Sequence, residues 1–299
     1  MSSTPISIRR SGTRSVLAEP GAARAVWRTV RRSPLTLAGA VVIAFFVIVA
    51  ALAPWLAVQS PIAQDLNQRL APPSVPHPFG TDSLGRDVYS RVVYGARISV
   101  VSGVAVVAAA FAFGIAAGTA AGWRAGWWDE TLMRVTDMFL AFPSLVLALA
   151  ISAILRPSLT NALIAIAVVS WPPYGRLTRA QVLSLRSRDY IEAARAEGAT
   201  DLMIIVRHLI PNAIAPLLVQ GTLDVGNIIL ISAGLSFIGF GAQPPTPEWG
   251  LMVSEGRSFL MEQWWIATFP AVAILLLVLG FNLVGDGIRD VLDPRLRTR

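Results

Sequence analysis

The amino-acid sequence predicts an all-α protein that crosses a membrane six times. Hydrophobic residues make up 54% of the 299 residues and charged residues only 14%, whereas about a quarter of an ordinary soluble domain is charged. The uncharged stretches are long, and each approaches the roughly 20 apolar residues that cross the hydrocarbon core of a bilayer. Both observations favour a polytopic membrane protein over a soluble enzyme.

Six membrane-spanning helices are predicted from these stretches and their flanks, at about 35–57, 98–122, 135–155, 159–175, 213–240 and 265–288. The fifth is predicted from its length and flanks, because it contains Asp224. Pro143, Pro216 and Pro270 lie inside apolar stretches, where we expect kinks that neighbouring helices accommodate.

A glycine stripe marks the second span. Gly114, Gly118 and Gly122 recur at every fourth residue in GIAAGTAAG. Small residues at this spacing allow another helix to approach closely. At the start of the third span, Arg134 and Asp137 stand one turn apart and are predicted to pair at the inner interface.

The arginines set the orientation. An even number of spans places both termini on one side, and 19 of the 25 arginines lie in the tails and in the 123–134 and 174–212 loops on that side. The side with more arginine is the cytoplasmic one. The net charge of +7 comes from arginines in the gaps between apolar stretches, which argues against a nucleic-acid-binding face.

This topology divides the chain into five parts. They are a cytoplasmic N-terminal tail (1–34), the first transmembrane helix (35–57), an external segment (58–97), a five-helix core that includes the polar loop 176–212 (98–288), and a cytoplasmic C-terminal tail (289–299). Within GTDSLGRDVYSRVVYGARIS, residues 80–99, apolar residues recur at helical spacing. This pattern predicts an amphipathic helix on the outer membrane interface, with Asp82 and Asp87 pairing with nearby arginines.

The polar loop carries helix-ending signals in DYIEAARAEGATDLMIIVRHLIPN, residues 189–212. Asp189 is a suitable N-cap, and Glu192 follows three residues later, as in a capping box. Gly198 fits the left-handed position after a helix. A second helix is predicted from Thr200 or Asp201 to Ile210, with Pro211 beginning the next element. The loop is therefore predicted to be a helix, a glycine turn and a helix.

The first helix of this loop needs support, because eight residues do not form a stable helix alone in water. We expect Leu202, Ile205 and Leu209 of the second helix to supply part of it. Ala193 and Ala194 keep one face small, with charged residues at its rim, which suits docking into a groove of a soluble partner. The alternative is a solvated linker between two spans, which rarely needs two caps and a terminating glycine.

The same stretch resembles the EAA motif of ABC-importer permeases in EAARAEGATDLMIIVRHLIP, matching at Glu192, Ala193, Ala194, Gly198 and Pro211. Four other stretches, 77–99, 122–149, 234–257 and 285–297, are similar to the C-type permease of dipeptide, oligopeptide and nickel importers. The resemblance covers nearly everything after about residue 30, with its motifs in order. It identifies the five-helix core as an ABC-permease core and residues 176–212 as its coupling loop.

The resemblance implies a permease subunit in a bacterial plasma membrane, without catalytic residues or a cofactor of its own. Its implied partners are a second homologous permease, two ATPase subunits, an external solute-binding protein and membrane lipid, with no nucleic acid. ATP and Mg²⁺ would belong to the ATPase subunits, since this chain has no G-x-x-x-x-G-K-[ST] loop and no lysine. The residues expected to contact an ATPase are Tyr190, Glu192, Ala193, Ala194, Arg195, Glu197, Gly198 and Pro211.

Other functions remain as alternatives. The runner-up is the same role in an importer of nickel chelates or another small solute. A stand-alone secondary transporter would need an ion-coupling site, for which Asp224 and Asn227 in the fifth span are the candidates; we favour a pore-lining or structural role for both. A membrane enzyme would need a nucleophile with a base, or a metal site, and neither is found: the two histidines, His77 and His208, stand alone.

Overall fold

The computed structural model describes residues 33–292, a stretch of helices and irregular segments without a β-strand. Most of the predicted N-terminal tail and the end of the predicted C-terminal tail, residues 1–32 and 293–299, lie outside the described residues. The helices are α1 (Pro34–Leu56), α2 (Val88–Arg124), α3 (Gly126–Leu140), α4 (Ser144–Leu155), α5 (Leu159–Leu185), α6 (Asp189–Ala196), α7 (Asp201–Ile204), α8 (Ile210–Ile238), α9 (Trp249–Gly256) and α10 (Trp265–Leu292).

Four helical stretches are long and apolar enough to cross a membrane: Pro34–Leu56, Val88–Arg124, Asp201–Ile238 and Trp265–Asp290. The span predicted at 135–155 is not one continuous helix, because α3 and α4 form a pair bent by 92°. The break contains Pro143, where a kink was predicted. Pro143 explains the break, since proline has no N–H to continue the helix and disfavours helical backbone in the residue before it. The broken pair counts as a fifth candidate span.

Helix α5 extends the predicted span 159–175 by ten residues, to Leu185. Its 27 residues include two prolines and a polar inner half, LTRAQ, and it is not among the stretches that meet the same test of length and composition. A total of six spans therefore stays a prediction.

The amphipathic interfacial helix predicted within residues 80–99 is wrong. Residues 80–87 are irregular, and α2 begins at Val88 and continues without a break to Arg124. Asp87 caps its start, accepting a hydrogen bond from the backbone N–H of Ser90 at 2.8 Å. Of the charged side chains off the apolar stripe, Asp82, Arg86, Asp87 and Arg91 are buried with partners inside the protein, whereas Arg97 is exposed. Arg86 and Arg91 are each 1% exposed.

These pairs form what we call the outer clamp: Asp82, Arg86, Arg91 and Glu255. Arg86 Nε donates to Asp82 Oδ2 at 2.6 Å, and its Nη2 donates to Glu255 Oε2 at 2.9 Å. Arg91 Nη2 donates to the same Glu255 oxygen at 3.1 Å. The external segment is thereby fixed to α9, which follows it by more than 150 residues.

The glycine stripe of α2 packs as predicted. A Cβ atom at Gly114 or Gly118 would collide with backbone of α5, and one at Gly122 would lie 2.8 Å from the Val182 side chain. Because these positions are glycine, α2 and α5 come into direct backbone contact along their inner halves. Helices α8 and α10 pack against each other, α10 against α1, and α1 against α2.

Candidate functional site

The polar loop forms the predicted helix, glycine turn and helix. Helix α6 covers Asp189–Ala196. Gly198 follows it with a φ of +86°, and the N–H groups of Gly198 and Ala199 donate to the carbonyls of Arg195 and Ala194, each at 3.0 Å. Nothing lies within 4 Å of where a Cβ would stand at Gly198. The backbone angle, and not lack of space, therefore requires glycine here.

The capping box predicted at the start of α6 is wrong. The N-cap position belongs to Arg188, whose side chain makes no capping hydrogen bond, and Asp189 is already the first helical residue. The N–H groups of Ile191 and Glu192 instead bond to the Arg188 carbonyl. Asp189 and Glu192 still lie in the first turn, where a negative charge interacts favourably with the helix dipole and stabilises the helix.

A small apolar cluster holds α6 in place. Ile191 and Ala194 of α6 pack with Ile204 of α7, and each is at most 8% exposed. The partly buried Trp123, at the inner end of α2, closes the cluster. The Arg195 guanidinium lies above the Trp123 ring, 4.8 Å from the ring centroid. The loop is thus seated on the end of a membrane-spanning helix.

The support predicted from α7 differs from the one observed. Leu202 is 71% exposed, and Ile204 rather than Ile205 enters the cluster. Leu209 is buried, but it is not part of this apolar cluster. The reason is that the chain does not stop at Ile210 before a new element at Pro211. A π turn over Ile205–Leu209 joins α7 to α8. Its wider spacing shifts the helix face and accommodates Pro211 inside a continuous helix.

The outer face of α6 is open to solvent. The expected ATPase-contacting residues Tyr190, Glu192, Ala193, Arg195, Glu197 and Gly198 are all exposed, as is Pro211. Ala194 is the exception, since it is buried against the cluster. Partial burial raises the pKa of Tyr190 above its ordinary value, so its hydroxyl stays protonated and can donate a hydrogen bond. This face presents both signs of charge around two small side chains.

The two polar residues predicted in the fifth span lie in the middle of α8, away from the loop. The Asp224 carboxylate is half-buried, and its Oδ1 accepts a hydrogen bond from Gln220 Nε2 at 3.1 Å. The hydroxyl of the buried Tyr174, on α5, lies beside it. Asn227, one turn further along α8, is exposed.

Sequence reasoning missed the residues that brace the inner ends of the helices. Arg179 of α5 makes two hydrogen bonds to Asp129 of α3, at 2.5 and 2.6 Å. Asp137 pairs with Arg176 of α5 and not with Arg134, whose partner is Glu130. Arg186 donates to the Gly122 carbonyl at 2.9 Å. The α3–α4 pair is therefore tied to the C-terminal end of α5.

Two family models match the chain. One describes a binding-protein-dependent transport system inner membrane component and matches residues 111–298. The other describes the N-terminal transmembrane domain of oligopeptide transport permease C and matches residues 22–73.

Curated relatives match along most of their length. The chain is 48% identical over 273 residues to the probable D,D-dipeptide transport system permease protein DdpC of Escherichia coli strain K12, covering 91% of each chain. It is 46% identical to the dipeptide transport system permease protein DppC of Alkalihalophilus pseudofirmus, covering 92% of this chain and 90% of the relative. Identity with the glutathione transport system permease protein GsiD of Escherichia coli O157:H7 is 43%, covering 91% of this chain and 90% of the relative.

The fold also has a solved counterpart. An inward-facing structure of the MetNI methionine ABC transporter contains a chain that superposes with a TM-score of 0.53 at 19% identity. The superposition covers 67% of this chain and 95% of the other. At that identity, the similarity concerns the fold alone.

Proposed function

The chain belongs to the family of binding-protein-dependent transport system inner membrane components, and from this membership we propose that it is a permease subunit of an ATP-driven importer of dipeptides or oligopeptides. Its match to the oligopeptide permease C model supports the peptide class, as do relatives named for D,D-dipeptides, dipeptides and glutathione. In this proposal the chain forms half of the translocation path, and a second homologous permease forms the other half.

The polar loop couples this path to ATP hydrolysis. Helix α6 inserts into a cleft of one of two ATPase subunits, which hold the ATP and Mg²⁺, and this chain performs no chemistry. Two contacts would carry a displacement of α6 into the membrane: its apolar face rests on Trp123 at the end of α2, and α7 continues into α8. ATP binding then favours the conformation in which the ATPase subunits are closed, and the spans follow as a population shift.

The opposite face of the permease receives an external solute-binding protein. The orientation rests on the arginines, whose excess lies in the tails and in the loops on their side. Both termini are therefore cytoplasmic, in a bacterial plasma membrane.

Site-directed crosslinking tests the coupling role. The chain has no cysteine, so a single cysteine at Ala193 reports on one position without background. In the assembled importer, we expect A193C, once labelled with a maleimide–benzophenone reagent, to photocrosslink to an ATPase subunit. A194C is the matched control, because the Ala194 side chain is 8% exposed and faces the apolar cluster. The A194C variant should therefore crosslink weakly.

A cysteine on the external segment tests the orientation. Val75 is 98% exposed, and V75C should react in intact cells with a membrane-impermeant maleimide, whereas A193C should react only after permeabilisation. If V75C, and not A193C, crosslinks to the ATPase subunit, the proposed topology and the coupling role both fail.

A further inference from the structure

A polar stripe runs along the middle of α8, where an apolar face is the norm. Gln220, Asp224 and Asn227 stand at i, i+4 and i+7, which places them on one side of the helix. None is buried: the first two are intermediate and Asn227 is exposed. Elsewhere around α8 the exposed residues are apolar, including Leu218 and Leu230. The helix thus has one polar open face and another that suits lipid.

A carboxylate on this stripe does not face hydrocarbon. A charge at the bilayer centre costs about 2.5–3.5 kcal/mol on insertion scales, so such groups face protein or a water-filled path. Asp224 lies in the middle of the 29-residue α8. Asp224 is half-buried against α5 and its own helix, and Asn227, one turn away, is exposed. Asp224 therefore lies on a surface that is covered by another part of the complex or by a passing solute.

The ligands that Asp224 has within the chain are neutral. Gln220 Nε2 donates to Oδ1, and the Tyr174 hydroxyl lies beside the carboxylate. Within residues 33–292, no arginine or histidine forms an ion pair with it. The outer clamp shows the opposite arrangement, since both of its carboxylates, the buried Asp82 and the partly buried Glu255, have arginine partners. Gln220 therefore holds the Asp224 carboxylate by a hydrogen bond, and neither neighbour supplies a positive charge.

We propose that Asp224 binds the ammonium group of the solute on its way through the membrane. This inference rests on the proposed function, because dipeptides and glutathione, after which the relatives are named, carry a free ammonium group at neutral pH. An ammonium group offers three donors and one positive charge, and these are what the carboxylate lacks. A single carboxylate among neutral neighbours binds the ammonium group through one charge pair, which suits a path whose sites must release what they bind.

Direct binding to the assembled importer tests the proposal. The complete complex is placed in nanodiscs without its external binding protein, and binding of radiolabelled alanyl-alanine is compared with that of propionyl-alanine, which has the same shape but no ammonium group. The wild type should bind alanyl-alanine at least fivefold more tightly. D224N should bind the two compounds within twofold of each other, while D224E and the stripe control N227A should keep the preference.

Three results would overturn the proposal. Equal binding of the two compounds by the wild type means that no ammonium site exists, and an undiminished preference in D224N places that site elsewhere. Loss of the second permease from purified D224N complex would assign the carboxylate to a subunit contact instead.

Transport separates this inference from the proposed function. If the wild-type importer, supplied with its binding protein and ATP, fails to take up any peptide, the proposed function itself fails. If the wild type and D224N take up alanyl-alanine equally well, only the role of Asp224 fails. We expect D224N to take it up at least tenfold more slowly while its complex stays intact.

Discussion

The two ends of the molecule treat their charges in opposite ways. At the outer clamp, Asp82, Arg86 and Arg91 are at most 3% exposed, and each has partners within the chain. On α6, the charged residues Glu192, Arg195 and Glu197 are exposed, and only a small apolar cluster lies beneath them. The outer end is complete on its own. The inner end has exposed charged side chains on a helix that is too short to be stable by itself.

The difference indicates where each end obtains its stability. A buried ion network is tolerated only when all its members are present, because each lone charge would carry a large desolvation cost. The outer clamp therefore ties the external segment and α9 into one rigid unit. Helix α6 is seated by three buried side chains and one aromatic ring, which holds its position and leaves its outer face to a partner.

The strongest way to break this comparison is to remove one member of the outer clamp. R86M keeps the apolar stem of the side chain but removes its guanidinium, so that the Asp82 carboxylate is left with only the longer contact to Arg91 Nε at 3.8 Å. Breaking a buried pair typically costs about 3–5 kcal/mol, so we expect a large drop in the unfolding temperature of the purified protein in detergent.

The matched control is R257M. Arg257 lies on the same outer side, is exposed, and has its guanidinium over the Phe237 ring, 5.7 Å from the ring centroid. Its loss should cost no more than about 1 kcal/mol. Equal effects of the two substitutions would show that the outer clamp contributes no special stability.

At the inner end, Gly198 is the position where a substitution should change coupling more than stability. A β-branched side chain at a φ of +86° costs about 1–2 kcal/mol, enough to redirect the chain between α6 and α7. G198V should therefore lower transport and solute-stimulated ATPase activity severalfold, while the protein still inserts and assembles.

The control is G198N, because asparagine tolerates the left-handed region better than other non-glycine residues. It should keep most of the coupling, measured as solute transported per ATP hydrolysed. If G198V couples as well as the wild type, the left-handed turn does not position α6.

The sequence predicted what depends on local spacing. The glycine turn at Gly198 and the contact of the glycine stripe with α5 follow from backbone angles and side-chain size at single positions. Pairing across the fold could not be predicted in this way. Asp137 pairs with Arg176, 39 residues away, instead of the nearby Arg134, and Arg86 bonds to Glu255 across 169 residues.

Two further predictions, the support of α6 and the helix within residues 80–99, also differ from the structure. Ile204, in the short α7, takes the place in the cluster that was predicted for Ile205, and the π turn that follows changes the helix register for Leu209. The apolar residues within 80–99 do recur at helical spacing, but this pattern did not show that Arg86 and Arg91 would be buried. Asp82, in the same segment, supplies one partner of Arg86. The other partner, Glu255 on α9, lies far along the chain, and nothing in the segment itself points to it.

The smallest predicted effect concerns the contact between Arg195 and Trp123, with the guanidinium 4.8 Å from the ring centroid. A cation–π contact at an exposed site contributes about 0.5–1 kcal/mol. W123L, which removes the ring but keeps an apolar side chain, should therefore raise the hydrogen-exchange rates of the α6 amides roughly two- to fivefold. W123F retains a ring face and should change them less.

A double-mutant cycle separates this contact from simple packing. If Arg195 acts through the ring, R195M should add little to W123L, and the coupling energy between the two positions should be about 0.5 kcal/mol or more. Additive effects would mean that Trp123 supports α6 only by packing against Ile191, Ala194 and Ile204. The ring would then seat α6 without orienting its charged rim, and the proposed ATPase contact would have to order that rim.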